Sequence, residues 1–290
     1  AAEDNAISEW EEITVPGTWM MQGWDYPHYT NVQMPFYEQP PTVPAKNPTG
    51  IYQRTFTINE SWADRVVRIC FDGVESAFYL WLNGVPIGYS QDSRTSAEFD
   101  ITKYINEGEN TLTVAVIRWS DGSFLEDQDH WRMAGIERDV YLYALPKTYI
   151  ADTFISTKLH KKYQHATLQV DVQAAKADAQ INLNGFTTEV NLFDATGKPM
   201  FENCLCGTFE DSTEPRNIYW GKKELFVSLS IGIRNPKLWS AENPYLYTTI
   251  VTLKNPEGEV VHQVSHRTGF RSAEVKNGNF LINGKPVLLK

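Results

Sequence analysis

The sequence predicts an all-β protein built as two successive β-sandwiches, and three observations carry that expectation. Apolar residues alternate along segments of about five to nine residues, as half-buried strands require, and no segment shows a convincing helical period. Turn signals close those segments, most clearly at Asn83-Gly84, where Asn-Gly sits between two alternating apolar runs. Aromatic residues make up 13% of the 290 residues, with 9 Trp, 14 Tyr and 14 Phe, a share that favours sheets and carbohydrate-type surfaces over helical bundles. At roughly 150 residues per domain the length accommodates two domains, and a 42% hydrophobic content supplies cores for both.

Residues 1–50 read as a long irregular segment. Pro35, Pro40, Pro41, Pro44 and Pro48 forbid a helix or a central strand there, and a long ordered loop tends to be functional. Strands are expected at Gly50 to Ile58, Arg65 to Phe71, Ala77 to Leu82 and Val85 to Tyr89. Glu98 to Ile101 follows, then a turn at Gly108-Glu109-Asn110. The next strand, Thr111 to Trp119, puts Leu112, Val114 and Val116 on one face and Thr113, Ala115, Ile117 and Trp119 on the other. Arg138 to Ala144 completes the first unit, and Pro146-Lys147 marks the boundary.

The second unit is expected to hold strands at Ala151 to Leu159, Ala166 to Ala174, Thr188 to Asp194, Leu225 to Ile233, Leu246 to Leu253 and Val260 to Ser265. Such spacing suits an immunoglobulin-like sandwich, here without its Cys–Trp–Cys signature. Gly207 to Lys223 is polar and reads as loop. The last residues hold the turns Asn277-Gly278 and Asn283-Gly284 and end on Val287-Leu288-Leu289-Lys290, which looks like a strand cut mid-run.

A net charge of −10 with no Lys/Arg-rich run argues against nucleic acid and anionic membrane as partners. No hydrophobic stretch reaches the ~18 residues of a membrane span and no signal peptide is visible, which leaves the compartment unknown, cytoplasm or periplasm. Cys70 lies in an apolar strand and reads as a buried free thiol. Cys204 and Cys206 share one face of a strand, a geometry poorly suited to a local disulfide, and without a second Cys or His pair nearby they do not read as a metal site.

The stretch with the densest chemistry runs from Ser120 to Arg132. Asp121, Glu126, Asp127 and Asp129 fall within nine residues with no basic residue among them. Such carboxylates repel one another unless a hard cation or the flanking Arg118 and Arg132 compensate them. The order of acids is not that of an EF-hand, and one loop could not easily fix two carboxyls at the separation a glycosidase needs, so catalysis by this loop alone is excluded. A solvated acidic loop is the plain alternative. Asn31, within Tyr29 to Pro35, reads either as a turn-former or as a bidentate amide for sugar hydroxyls.

Several motifs carry a resemblance. Val15-Pro16-Gly17-Thr18-Trp19, Tyr29-Thr30-Asn31-Val32, Asn47 to Tyr52, Phe71 to Phe78 and Gly88 to Arg94 resemble the amino-terminal domain of glycoside hydrolase family 2. The acidic loop through Gly135-Ile136, Asn235 to Ser240 and Asn243 to Tyr247 are similar to the same family, and Arg118 to Ser123 with Arg132 to Ile136 resembles its large bacterial β-galactosidases.

The resemblance implies a jelly-roll sugar-binding domain at residues 1–146 whose first strand lies upstream, and an immunoglobulin-like domain at 147–272. A linker hairpin at 273–290 would enter a catalytic (β/α)8 barrel that carries both catalytic glutamates, so no catalytic residue is expected in this chain. Residue by residue, it implies that Asp129 contacts galactosyl hydroxyls and a sodium ion, and that Asn31 contacts the sugar. Gln91 and Asp121 would be two ligands of a structural divalent cation, with sodium and magnesium the ions expected for the whole enzyme. The expected partners are a β-galactoside, the catalytic domain and further copies in a homo-oligomer. A free-standing carbohydrate-binding module, an adhesion or assembly protein, and the same region of a β-glucuronidase or β-mannosidase are the competing readings.

Overall fold

The structure is a computed structural model that describes residues 10–30, 33–126, 128–160, 163–209 and 225–288. Its strands form two compact units, Ala1–Leu145 and Pro146–Lys290.

In the first unit β1 (Gly17–Thr18) is followed by β2 (Thr49–Thr57), β3 (Val66–Phe71), β4 (Val74–Glu75), β5 (Ala77–Leu82) and β6 (Val85–Gln91). Then come β7 (Ala97–Asp100), β8 (Glu109–Ile117), the one-turn helix α1 (Gly122–Leu125), β9 (Gly135–Ile136) and β10 (Val140–Leu145). A four-stranded antiparallel sheet in the order β2-β8-β5-β6 faces a three-stranded one in the order β10-β3-β7. Alternation decides what lies between them. Leu112, Val114 and Val116 of β8 meet Phe78, Leu80 and Leu82 of β5 and Val67, Ile69 and Phe71 of β3 in one buried cluster. Each such side chain contributes about 1.5–3 kcal/mol of transfer free energy. The expected turn at Gly108-Glu109-Asn110 is locked by the buried Asn110 amide, which accepts from Asn106 N and Asn83 Nδ2 and donates to the carbonyls of Asn106 and Gly108.

A third, small sheet in the order β1-β9-β4 joins three of the motifs quoted above. Gly17 and Val74 both pair with Ile136, and Thr18 and Glu75 with Gly135. Gly135 sits at φ 143°, and a Cβ there would lie 2.7 Å from Gly17 O, so the sheet closes only around glycine. Trp19, 5% exposed, then lies over Gly50, whose absent Cβ would be 2.7 Å from the indole. The long irregular segment is thereby anchored in the core. Between the edge strands β2 and β10 a cleft of about 1120 Å³ reaches core residues Ile69, Phe71, Leu112 and Val114, with Trp10 to Ile13 along its margin.

The second unit sets β11 (Thr148–His160), β12 (His165–Lys176), β13 (Thr187–Phe193), β14 (Leu205–Thr208), β15 (Leu225–Arg234), β16 (Tyr247–Lys254) and β17 (Val260–Thr268) in two antiparallel sheets. Their orders are β11-β12-β15 and β14-β13-β16-β17. A three-plus-four sandwich is what the strand spacing predicts. Period-two patterning again selects the core: Leu168, Val170 and Val172 of β12 pack with Val227 and Leu229 of β15, Val190 and Leu192 of β13, and Val251 and Leu253 of β16. The segment read as loop begins as strand at Gly207–Thr208, and residues 210–223 lie outside the described residues.

Finally β18 (Ala273–Lys276), β19 (Asn279–Ile282) and β20 (Lys285–Pro286) form a small meander. Its turns at Asn277-Gly278 and Asn283-Gly284, like the one at Asn83-Gly84, hold both residues at positive φ, the conformation that matches strand twist in a two-residue hairpin. Leu289 and Lys290 of the terminal apolar run lie outside the described residues. Among the described residues no helix is long and apolar enough to cross a membrane.

Candidate sugar- and cation-binding site

The site is built where β8 ends. Arg118 N donates to Pro48 O, and the Asn47 side chain brackets the next residue, accepting from Trp119 N at 2.9 Å and donating to its carbonyl at 2.7 Å. An amide side chain thus does the work of one more strand residue and carries the pairing past the sheet. Ser120 and Ser123 exchange hydrogen bonds that start α1, and Phe124 packs edge-on against Phe36, which packs in turn on Trp119.

Of the two ways to offset the acidic loop, a cation or the flanking arginines, Arg118 does not serve the second. Its guanidinium turns the other way and is almost fully buried, paired with Asp25. It donates to Tyr26 O at 3.0 Å, contacts His28 Nδ1 at 2.5 Å and lies 4.7 Å over the Trp119 ring. An arginine offers no acceptor, so His28 Nδ1 accepts and the imidazole carries its proton on Nε2. Burial first, and then the Arg118 charge, lower the pKa of His28. The second flanking cation, Arg132, is also buried and donates to Ser123 O at 3.4 Å.

This anchoring brings two distant stretches together. His28 and Arg132 form an antiparallel bridge, with Arg132 N donating to His28 O at 2.7 Å and His28 N to Arg132 O at 3.3 Å. One residue beyond His28, the Tyr29 hydroxyl donates to Asp129 Oδ1 at 2.7 Å, and the carboxylate raises the phenol's pKa. The Tyr29 and Trp131 rings lie 5.5 Å apart, and both are exposed beside Asp129. Aromatic faces next to a carboxylate suit a carbohydrate, with its apolar C–H faces and hydroxyl rim. Asn31 and Asp127 lie outside the described residues. Tyr29 stands in a motif read for its asparagine, and only the fold puts its hydroxyl on Asp129.

The other acids of the loop have different surroundings. Glu126 accepts from Ser93 N at 2.8 Å and from Ser93 Oγ at 2.6 Å, which pins the segment after β6. Asp121 accepts from Gly122 N at 3.0 Å at the start of α1. Its charge also helps raise the pKa of Tyr89, after burial, and the Tyr89 hydroxyl donates to Gln91 Oε1 at 2.7 Å. Tyr89 thus bonds Gln91 and feels the charge of Asp121. Carboxylate and amide oxygens are the kind of ligand a hard cation takes.

Next to Ser93, Arg94 bridges Glu75 at 3.0 Å and Glu137 at 2.8 Å. Burial and the nearby Glu137 carboxylate outweigh Arg94 and push the Glu75 carboxyl up to about 8 from its ordinary 4.5. The folded state then holds a proton on Glu75 that the unfolded state loses. Stability from this group is full below about pH 4.5 and declines as pH rises through about 8. Glu75→Gln is expected to flatten that decline when urea unfolding is followed between about pH 4.5 and pH 9.

Residues 2–146 match the sugar binding domain of the glycosyl hydrolases family 2, and residues 148–271 match a second domain of that family. The chain is 44% identical to a β-galactosidase of Priestia megaterium over all of its length and 27% of that protein's. It is 44% identical to one of Vibrio cholerae over 98% of the chain and 27% of the relative. The chain thus spans about a quarter of the length of the curated relatives it matches. Among solved structures, a β-glucuronidase of Bacteroides uniformis covalently bound to cyclophellitol-6-carboxylate aziridine superposes with a TM-score of 0.75 at 23% identity, covering 98% of this chain and 32% of that one. At that identity the likeness concerns the fold. With both of its units matched, the chain belongs to glycosyl hydrolase family 2.

Proposed function

We propose that this chain is the lead-in of a retaining β-galactosidase, contributing sugar and cation contacts to a pocket whose catalytic acids lie in a separate catalytic domain. The observation that carries the reading is the Asp129 carboxylate, held by the Tyr29 hydroxyl beside two exposed aromatic faces. A carboxylate fixed by one hydrogen bond to Oδ1 keeps its other oxygen for a substrate hydroxyl. A sugar of the wrong stereochemistry leaves it unpaired, which is how such groups discriminate. Asn31 is proposed to add a second polar contact from the same stretch. The homology to β-galactosidases along the whole chain supports galactosides over glucuronides, because the likeness to β-glucuronidases stays at fold level.

For cations, the carboxylate of Asp129 would hold sodium, and Gln91 with Asp121 would hold a structural divalent ion such as magnesium. The oxygen donors fit both. When bound, such ions supply positive charge and coordination to hydroxyl groups. The chain's own residues orient the sugar and shield one side of it from water.

The test uses two proteins. The chain alone is expected to give no turnover of nitrophenyl β-galactoside. Grafted in place of the aligned 294 residues of the Priestia megaterium enzyme, it is expected to sustain hydrolysis of galactosides in preference to glucuronides. Turnover by the isolated chain, or a graft that prefers glucuronides, would overturn the proposal.

A further inference from the structure

Strand register in the second sandwich produces a cluster that the cysteine spacing does not announce. Glu189 of β13 stands directly opposite Cys206 of the edge strand β14. Val190 points into the core, so Glu189 and Cys206 share the outer face, and Cys204, two residues earlier, falls on the same side. One ligand atom from each of Glu189, Cys204 and Cys206 lies within 4.8 Å of the others, and the two sulfurs are 2.7 Å apart. Lys254 Nζ holds one oxygen of the Glu189 carboxylate at 2.7 Å, which orients the group as outer partners of metal-bound carboxylates do.

We propose that Glu189, Cys204 and Cys206 form a binding site for a thiophilic divalent cation of the zinc and cadmium class. Tetrahedral zinc, with bonds of about 2.3 Å to sulfur and about 2.1 Å to oxygen, sets its ligand atoms roughly 3.3–3.8 Å apart. The two sulfurs stand closer than that, so they must separate by side-chain rotation on an exposed edge strand for an ion to enter. Two soft thiolates with one carboxylate exclude magnesium and calcium, which take oxygen ligands. The exposed side of Cys206 leaves the fourth position to water.

The competing reading of the pair is a redox dithiol. Cys204 and Cys206 are free thiols here, and two residues apart on one strand face they are poorly placed for disulfide geometry. When a cation binds, each thiol releases its proton to solvent as it becomes a ligand. The neighbouring carboxylate serves a cation and would only repel a thiolate.

The probe is Cd²⁺ added to the reduced, purified chain under nitrogen, read by the thiolate-to-cadmium charge-transfer absorption in the ultraviolet. One equivalent is expected to saturate the band, and Zn²⁺ is expected to abolish it by displacement. Cys204→Ser and Cys206→Ser are each expected to lose saturable binding, while Cys70→Ser, which alters the buried thiol of the first sandwich, leaves it unchanged. Glu189→Gln is expected to keep a band but weaken binding at least about tenfold, as loss of one of three protein ligands requires. Absence of a saturable band, a band that survives Cys204→Ser, or equal affinity in Glu189→Gln would overturn the proposal. So would rapid loss of two thiols to oxidised glutathione in a chain that takes up no Cd²⁺.

Discussion

Arg118→Met is expected to destabilise the first sandwich by about 3–4 kcal/mol, measured as a shift in the urea unfolding midpoint at unchanged slope. The substitution keeps the apolar stem over Trp119 but removes the head that Asp25, Tyr26 O and His28 Nδ1 share. Removing one partner leaves Asp25 without its counter-charge in a part-buried setting, and that uncompensated group dominates the loss. An exposed ion pair would return less than about 1 kcal/mol, so a shift that small would show that Arg118 is not the anchor argued for above. The same network predicts a dependence on acid. His28 accepts from Arg118 only when neutral, and its pKa lies below the ordinary 6.5. Its contribution is present above pH 6.5 and is lost as pH falls through the lowered value, because the unfolded chain then binds the proton that the folded one refuses.

The second large effect concerns Asp129. In the graft on the Priestia megaterium enzyme, Asp129→Asn is expected to lower kcat/KM for nitrophenyl β-galactoside about a thousandfold, about 4 kcal/mol. Asparagine preserves the size of the side chain but places an N–H where a carboxylate oxygen would accept from a hydroxyl. Tyr29→Phe, which removes the hydroxyl on Oδ1 but keeps the ring beside Trp131, is expected to cost about tenfold, the value of one hydrogen bond. A graft whose Asp129→Asn form retains wild-type kcat/KM would remove Asp129 from the substrate contacts and return the loop to a structural role.

Most strands were readable because their signals are local. The alternation of Leu112, Val114 and Val116 needs only the pleat of one strand, and the Asn-Gly turns need only two residues that tolerate positive φ. Strand ends moved by a few residues, as at β11, which starts at Thr148 where the pattern begins at Ala151, because terminal pairing is set by the neighbouring strand. The contacts around the acidic loop were less legible. The acidic loop was legible, but only the family resemblance marked Asp129 among its four acids, and Tyr29, which bonds it, lies 100 residues away. The partner of Arg118 was hidden for a related reason: the nearest acids in the chain are not the nearest in space once its side chain turns inward to Asp25.

What the sequence determined by itself is the all-β character, the position of the turns and the family's motifs, since each depends on neighbours within a few residues. What only the tertiary structure decided is which polar groups meet. Gly17, Glu75 and Gly135 converge in one small sheet, Tyr29 reaches Asp129 across the His28–Arg132 bridge, and Glu189 faces Cys206. The physical reason is register. A strand's own pattern says which residues share a face, but the pairing of two strands decides which of them stand opposite, and a shift of one residue would send Glu189 and Cys206 to different sides.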